Sequence, residues 1–268
     1  MEQLYKYPRT HHIEGSRLQP GDEDLDQVAF QTIIQRNLVV EEKLDGANCG
    51  ISFNDNGELL LQSRGHYLTG GHRERHFNLF KQWAATHALS FQERLENRYI
   101  MYGEWLYAKH TVYYNALPHY FMEFDIYDTH EGRFLDTHSR HKMLRNLPVQ
   151  SVPVLFEGTM KKVQELTSLI GPSLYIEGHH IEELYEQARE LGLDPDRVVR
   201  ETDTSVDMEG LYIKVEEDGS VVDRYKFVRA AFLTAVFEAE GHWLNRPIIP
   251  NRLQEGVDLF VTDITHNP

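Results

Sequence analysis

Leu38-Val39-Val40-Glu41-Glu42-Lys43-Leu44-Asp45-Gly46-Ala47-Asn48-Cys49-Gly50-Ile51-Ser52-Phe53 is the stretch on which the reading of this chain turns. Leu38 to Glu42 reads as a short strand, Lys43 to Gly46 as the turn that ends it, and Ala47 to Phe53 as the next strand. Asn54-Asp55-Asn56-Gly57 supplies strong turn chemistry, so Glu58 to Ser63 returns as the partner in a hairpin. A lysine beside Asp-Gly in a turn is usually solvated turn chemistry, roughly nine times in ten. The alternative is a nucleophile. An amine attacks only when neutral, and the reference pKa of lysine, about 10.4, keeps it charged near pH 7. Burial and adjacent cations lower that value, so a reactive Lys43 predicts other lysines or arginines around it.

Outward from this hairpin the chain alternates irregularly. Glu23 to Arg36 has the spacing of an amphipathic helix, with Leu25, Val28, Ala29, Thr32 and Ile33 on one face. Arg73 to Leu95 is predicted helical, and Tyr99 to Tyr107 and Tyr120 to Tyr127 are aromatic-rich strands. Helices are expected over His138 to Leu147, Lys161 to Leu169 and Glu177 to Leu191, the last ended by Gly192. Gly210 to Val215, a turn at Glu217-Asp218-Gly219-Ser220, and Val221 to Val228 form a second hairpin. Arg229 to Glu240 is a further expected helix. Without a regular βαβ period, an α+β fold is favoured over a doubly wound sheet. We expect an N-terminal segment and helix over 1–37, a central domain over 38–230, and a C-terminal helix and tail over 231–268.

Composition sets limits. The 268 residues are 41% hydrophobic, enough to build a sizeable core. The longest apolar runs are a few residues, too short to cross a bilayer, and Met1 to Lys6 lacks the apolar stretch of a signal peptide. The single cysteine, Cys49, excludes an intramolecular disulfide. These features lead to the expectation of a cytoplasmic protein. The net charge of −15 argues against a protein that coats nucleic acid. From Glu177 to Asp218 there are 14 acidic and 4 basic residues, so the balance predicts a local basic site on an acidic body.

Five further fragments accompany Lys43 in order. They are Ser63-Arg64-Gly65, Tyr102-Gly103-Glu104-Trp105, Phe121-Met122-Glu123-Phe124-Asp125-Ile126, Glu209-Gly210-Leu211-Tyr212-Ile213-Lys214 and Arg224-Tyr225-Lys226-Phe227. Each alone is an edge, a core strand or a solvated face; together, at strand ends and strand faces, they are an improbable accident. Lys43-Leu44-Asp45-Gly46 resembles motif I (KxDG) of the covalent nucleotidyltransferases, which include DNA ligases, RNA ligases and mRNA capping enzymes. Gly103-Glu104 is similar to motif III, Phe124-Asp125-Ile126 to motif IIIa, Glu209 to Lys214 to motif IV, and Tyr225-Lys226 to motif V. The wording is most similar to the RNA ligase 2 branch, with Val152-Pro153-Val154-Leu155-Phe156-Glu157-Gly158 in support. The resemblance runs from Val39 to Arg229.

The resemblance implies a nucleotidyltransferase domain of twisted antiparallel sheets flanked by helices, with an ATP-grasp-like ligase architecture. It implies that Lys43 forms a lysyl-AMP phosphoramidate, that Glu104 contacts the ribose, and that Arg64 lies near the ribose or the incoming strand. Phe124 would stack on adenine. Glu209 would help to hold a divalent cation, magnesium or manganese, while Lys214, Arg224 and Lys226 would meet the nucleotide phosphates. The implied activity is an ATP-dependent RNA ligase that joins 5′-phosphate and 3′-OH RNA ends in RNA repair, as a monomer. A DNA ligase, a capping guanylyltransferase and a non-catalytic RNA-end or nucleotide-binding module are the alternatives. Two departures stand out. Motif V reads Arg224-Tyr225-Lys226 where Lys-x-Lys is common in this branch, and arginine grips phosphate in a different geometry. Only about 40 residues follow motif V, fewer than the C-terminal domain of larger relatives, so the 3′-OH strand would be held by a partner protein or by the N-terminal segment from Tyr7 to Arg17. An ordinary solvated terminus is the simpler expectation for that segment.

Overall fold

The hairpins that flank Lys43 organise the whole sheet. In the computed structural model, which describes residues 3–18, 22, 25–233 and 247–261, β1 (His11–Ile13) and β2 (Gln27–Val28) precede β3 (Leu38–Lys43) and β4 (Ala47–Phe53). There follow β5 (Leu59–Ser63), α1 (Asn78–Thr86), α2 (Ala88–Leu95), β6 (Tyr99–Trp105), β7 (Phe121–Asp128), β8 (Arg133–Leu135) and α3 (Thr137–Leu144). The remainder are β9 (Gln150–Ser151), β10 (Val154–Gly158), α4 (Val163–Thr167), α5 (His180–Glu190), α6 (Pro195–Arg200), β11 (Gly210–Glu217) and β12 (Ser220–Val228).

One 12-stranded sheet runs in the order β10-β3-β11-β12-β8-β7-β6-β4-β5, antiparallel along that path. Three short parallel pairings, β1 with β12, β1 with β2 and β9 with β7, complete it. This is the expected α+β architecture. Both sequence-predicted hairpins form. In the second, Asp218 and Gly219 both take positive φ, 49° and 76°, which is why Asp-Gly serves there.

The two largest hydrophobic cores among the described residues lie against the sheet. Ile51, Met101 and Phe121 pack with Phe80, Trp83 and Phe91 of α1 and α2. Leu38, Val40, Leu211 and Ile213 pack with Phe30, Ile33 and Leu166. The Arg73–Leu95 helical stretch is present but begins as a 3-10 turn over His72–Phe77 and breaks at His87. The helix expected over Glu23–Arg36 does not form. Its described residues hold β2 and a 3-10 turn, Phe30–Thr32. Val28 reaches the core from a strand, because β1 offers it a partner in Ile13, and Ile33 reaches it from the turn that closes Phe30–Thr32. Most of the predicted Arg229–Glu240 helix lies outside the described residues. Among the described residues, no helix is long and apolar enough to cross a membrane.

Candidate active site

Lys43 ends β3 opposite Gly210, the first residue of β11. A Cβ on Gly210 would stand 1.8 Å from the Phe227 carbonyl oxygen, so only glycine lets β11 and β12 approach there. That approach brings Glu209, the preceding residue, over the lysine: Lys43 Nζ lies 2.7 Å from Glu209 Oε1. The turn after Lys43 is anchored from both sides. The Asp45 carboxylate accepts from the Thr111 and Val112 amides at 2.6 and 2.7 Å, and the Gly46 amide donates to Glu104 Oε1 at 3.1 Å. A Cβ on Gly46 would meet the Trp105 carbonyl at 2.7 Å, so this turn too has no room for a side chain.

These residues open on a cavity of about 990 Å³. Lys43, Arg64, Glu104, Phe124, Glu209 and Lys226 all line it, so the fold gathers six of the eight residues marked out by sequence. Arg64 stands exposed at its rim and Phe124 is half-buried in its wall. Tyr7, Thr10 and Asn48 also face it.

Lys214 is a correction. It shares a strand face with Lys43, but its side chain is fully buried outside the cavity lining. Its ammonium bonds Glu41 at 3.0 Å and the Phe124 carbonyl, and sits 3.4 Å from Asp125. The same internal network holds Arg140, from α3, which donates to Glu123 at 2.8 Å and to Glu41 at 2.6 Å. Glu41, Glu123 and Asp125 are thus matched by Lys214, Arg140 and Arg224. Three carboxylates and three cations cancel, as burial demands. Arg224 also lies outside the cavity lining, with its guanidinium 3.9 Å from the Phe134 ring centroid. Lys214 therefore fixes the strand that carries Phe124, and does not face the cavity.

The electrostatics also differ from expectation. Burial pulls the Lys43 pKa down, but Glu209, Glu104 and Asp45 outweigh it and raise it above the usual lysine value. Carboxylates surround the lysine more closely than cations do. Burial in turn pushes Glu104 up to about 8 and Glu209 up to about 7, with Lys43 opposing both shifts. Lys226 is lowered, by burial first and by Lys43 second.

Two sets of residues escaped the sequence reading. Arg229 donates to the Met208 carbonyl at 2.7 Å and to Ser205 at 2.8 Å, pinning the loop that delivers Glu209. Its position directly after motif V was the available signal. The N-terminal segment, expected to be a solvated terminus, instead adds β1 to the sheet beside Tyr225 and Lys226. Tyr7 hydroxyl bonds Asp125 and lies 2.5 Å from the Tyr212 hydroxyl. The alternation of Tyr5, Tyr7 and Ile13 with polar residues was its only sequence signal.

The sequence profile of the RNA ligase family matches residues 36–228. That interval holds every motif described above and most of the chain. The chain belongs to the RNA ligase family. It is 26% identical over 177 residues to the protein Early 65 kDa of Autographa californica nuclear polyhedrosis virus, covering 60% of this chain and 31% of the viral protein. Its fold is similar to that of Naegleria gruberi RNA ligase. A variant of that ligase with ATP and Mn superposes with a TM-score of 0.52 at 19% identity, over 86% of this chain and 57% of the other. A second variant, with AMP and Mn, gives 0.54 at 16% identity, over 88% and 59%. The chain thus spans about a third of the viral relative and under two thirds of the Naegleria ligase chains.

Proposed function

We propose that this chain is an ATP-dependent RNA ligase that works through AMP bound covalently to Lys43. The observation that carries the reading is the meeting of Lys43, Glu104, Phe124, Glu209 and Lys226 around one cavity, supplied by five separated segments of sequence. An amine nucleophile, an aromatic face, two carboxylates and a phosphate-binding cation are what adenylyl transfer requires.

In the first step the Lys43 amine attacks the α-phosphorus of ATP. An N–P bond forms, the bond to the bridging oxygen breaks, and pyrophosphate leaves with the electron pair. AMP then passes to the 5′-phosphate of an RNA, breaking the N–P bond. A 3′-OH finally attacks the activated phosphate and AMP departs. Phe124 stacks on the adenine, Lys226 holds phosphate oxygens, and Arg64 at the rim meets the ribose or the strand.

The donor set fits a hard divalent cation. Glu104 and Glu209 offer carboxylate oxygens beside the nucleophile, while no group of three or more ligating side chains is close enough to chelate a metal among the described residues. A cation here would keep several waters, as magnesium or manganese does. When bound, it would supply positive charge that weakens the hold of Glu104 and Glu209 on the Lys43 proton. The Naegleria ligase variants solved with Mn support this reading.

RNA is the proposed substrate on family membership, and end joining of this kind serves RNA repair. A direct test incubates the protein with labelled ATP and manganese, followed by denaturing electrophoresis and by sealing assays. Label that survives denaturation, with joining of 5′-phosphate RNA to 3′-OH RNA, is the expected result. Label from GTP alone would point to a capping guanylyltransferase, and sealing of nicked DNA only would point to a DNA ligase.

A further inference from the structure

Asp22 sits at the centre of a cluster of donors, Arg9, His12 and Lys226, of which only Lys226 belongs to the adenylyl-transfer residues. Lys226 Nζ bonds its Oδ2, His12 Nε2 lies 3.2 Å from the same oxygen, and the Arg9 guanidinium is 3.2 Å from Oδ1. A carboxylate only accepts hydrogen bonds, so His12 Nε2 carries a proton there. The ring is fixed from behind, because His12 Nδ1 is 2.7 Å from Ser16 Oγ, which accepts the Val228 amide at 2.9 Å. His12 is fully buried beneath the carboxylate. Burial alone would raise the Asp22 pKa, but hydrogen bonds from His12, Lys226 and Arg9 override it and hold the group well below the usual carboxylate range.

A preset donor array around one anionic group, with one donor also lining the ATP-sized cavity, is the geometry of an oxyanion subsite. Thr10, next to Arg9, lines that cavity as well. Lys226 lies close enough to Lys43 for their charges to lower the Lys226 pKa. We propose that the Asp22 carboxylate stands in for a phosphate, and that Arg9, His12 and Lys226 form the subsite for the pyrophosphate portion of ATP. This rests on the ligase reading above. Asp22 must leave for the polyphosphate to enter, which makes the N-terminal segment both the subsite wall and its competitor. The leaving pyrophosphate gains two donors, Arg9 and His12, that lie outside the motifs.

Isothermal titration of inorganic pyrophosphate into wild-type protein, Asp22→Ala and Arg9→Ala tests this. Asp22→Ala should tighten pyrophosphate binding by about tenfold, since a competing charge-assisted contact is gone. Arg9→Ala, at an exposed side chain, should weaken it by about fivefold. Weaker binding in Asp22→Ala would make Asp22 an organiser of the cations and overturn the proposal. Pyrophosphate affinity indifferent to both changes overturns it too. A parallel titration of a 5′-phosphorylated RNA against its 5′-hydroxyl counterpart separates the two phosphate sources. If only that preference moves with Arg9→Ala, the cluster serves the RNA end and the proposal fails. Lys43 labelling from ATP is measured on the same preparations. Absent labelling with the expected pyrophosphate shifts removes the ligase reading alone, and normal labelling without those shifts removes the subsite alone.

Discussion

Lys43 Nζ and Glu209 Oε1 are 2.7 Å apart, an ion pair between the proposed nucleophile and the carboxylate nearest to it. The pair holds Lys43 in its protonated form, with a pKa above the ordinary lysine value. Without a counter-charge on the carboxylates, the amine is poorly nucleophilic near neutrality.

The rate of Lys43 adenylation should therefore climb with pH. The neutral fraction of an amine rises about tenfold per pH unit below its pKa. Single-turnover labelling from ATP between pH 6 and 9 should show a steep rise, shifted to lower pH as manganese is added. A flat profile at fixed metal would show that lysine deprotonation does not limit the step.

Glu104 should trade stability for function. Its folded pKa of about 8 exceeds the ordinary carboxylate value, so the folded state holds a proton that the unfolded state releases. Its contribution is most favourable below the unfolded value and is lost as pH rises toward the folded one. Glu104→Gln removes that loss. It should be more stable than wild type by on the order of 2 kcal/mol at pH 8 and near parity at pH 4.5. Denaturant unfolding at the two pH values checks this, and a difference that shrinks with rising pH would contradict it. The same variant should form little lysyl-AMP.

Lys214 and Lys226 should separate cleanly. Lys214→Met leaves the buried Glu41, Glu123 and Asp125 with only Arg140 and Arg224 as counter-ions, one cation short, which should cost about 3–5 kcal/mol of stability. Lys226→Ala removes a cavity cation and should lower adenylation far more than stability. Chemical denaturation beside ATP labelling reads both. A stable Lys214→Met protein with selective loss of labelling would return Lys214 to the phosphate contacts.

Phe124→Leu should keep the fold and weaken ATP. The ring sits 5.1 Å from the Tyr7 centroid and contributes a face to the cavity. Loss of base stacking costs about 1–3 kcal/mol, so KM for ATP should rise by roughly tenfold or more. An unchanged KM would mean that the base binds elsewhere.

Much of this was legible in local chemistry. Asn54-Asp55-Asn56-Gly57 and Glu217-Asp218-Gly219-Ser220 specify turns through residues that tolerate positive φ, and both hairpins follow. The positions of Lys43, Glu104, Glu209 and Lys226 were legible because short motifs at the ends and on the faces of strands carry them. What failed was depth. Lys214 and Lys226 look alike in sequence, and only the arrival of Arg140 and Asp125 from distant segments makes one internal. The periodicity of Leu25, Val28 and Ile33 mimicked a helix because β1, a long-range partner, was not foreseen. Helix α6 went unpredicted, although Asp194 caps it and Pro195 opens it. The Asp22 cluster had no motif to announce it, since Arg9, His12 and Lys226 converge only once β1 pairs with β12.

The covalent intermediate is the central claim, and peptide mass mapping after incubation with ATP and manganese tests it most directly. One AMP per chain, carried on the peptide containing Lys43 and absent from Lys43→Ala, is the predicted result. AMP on a different lysine, or an unmodified chain that still joins RNA ends, would contradict it.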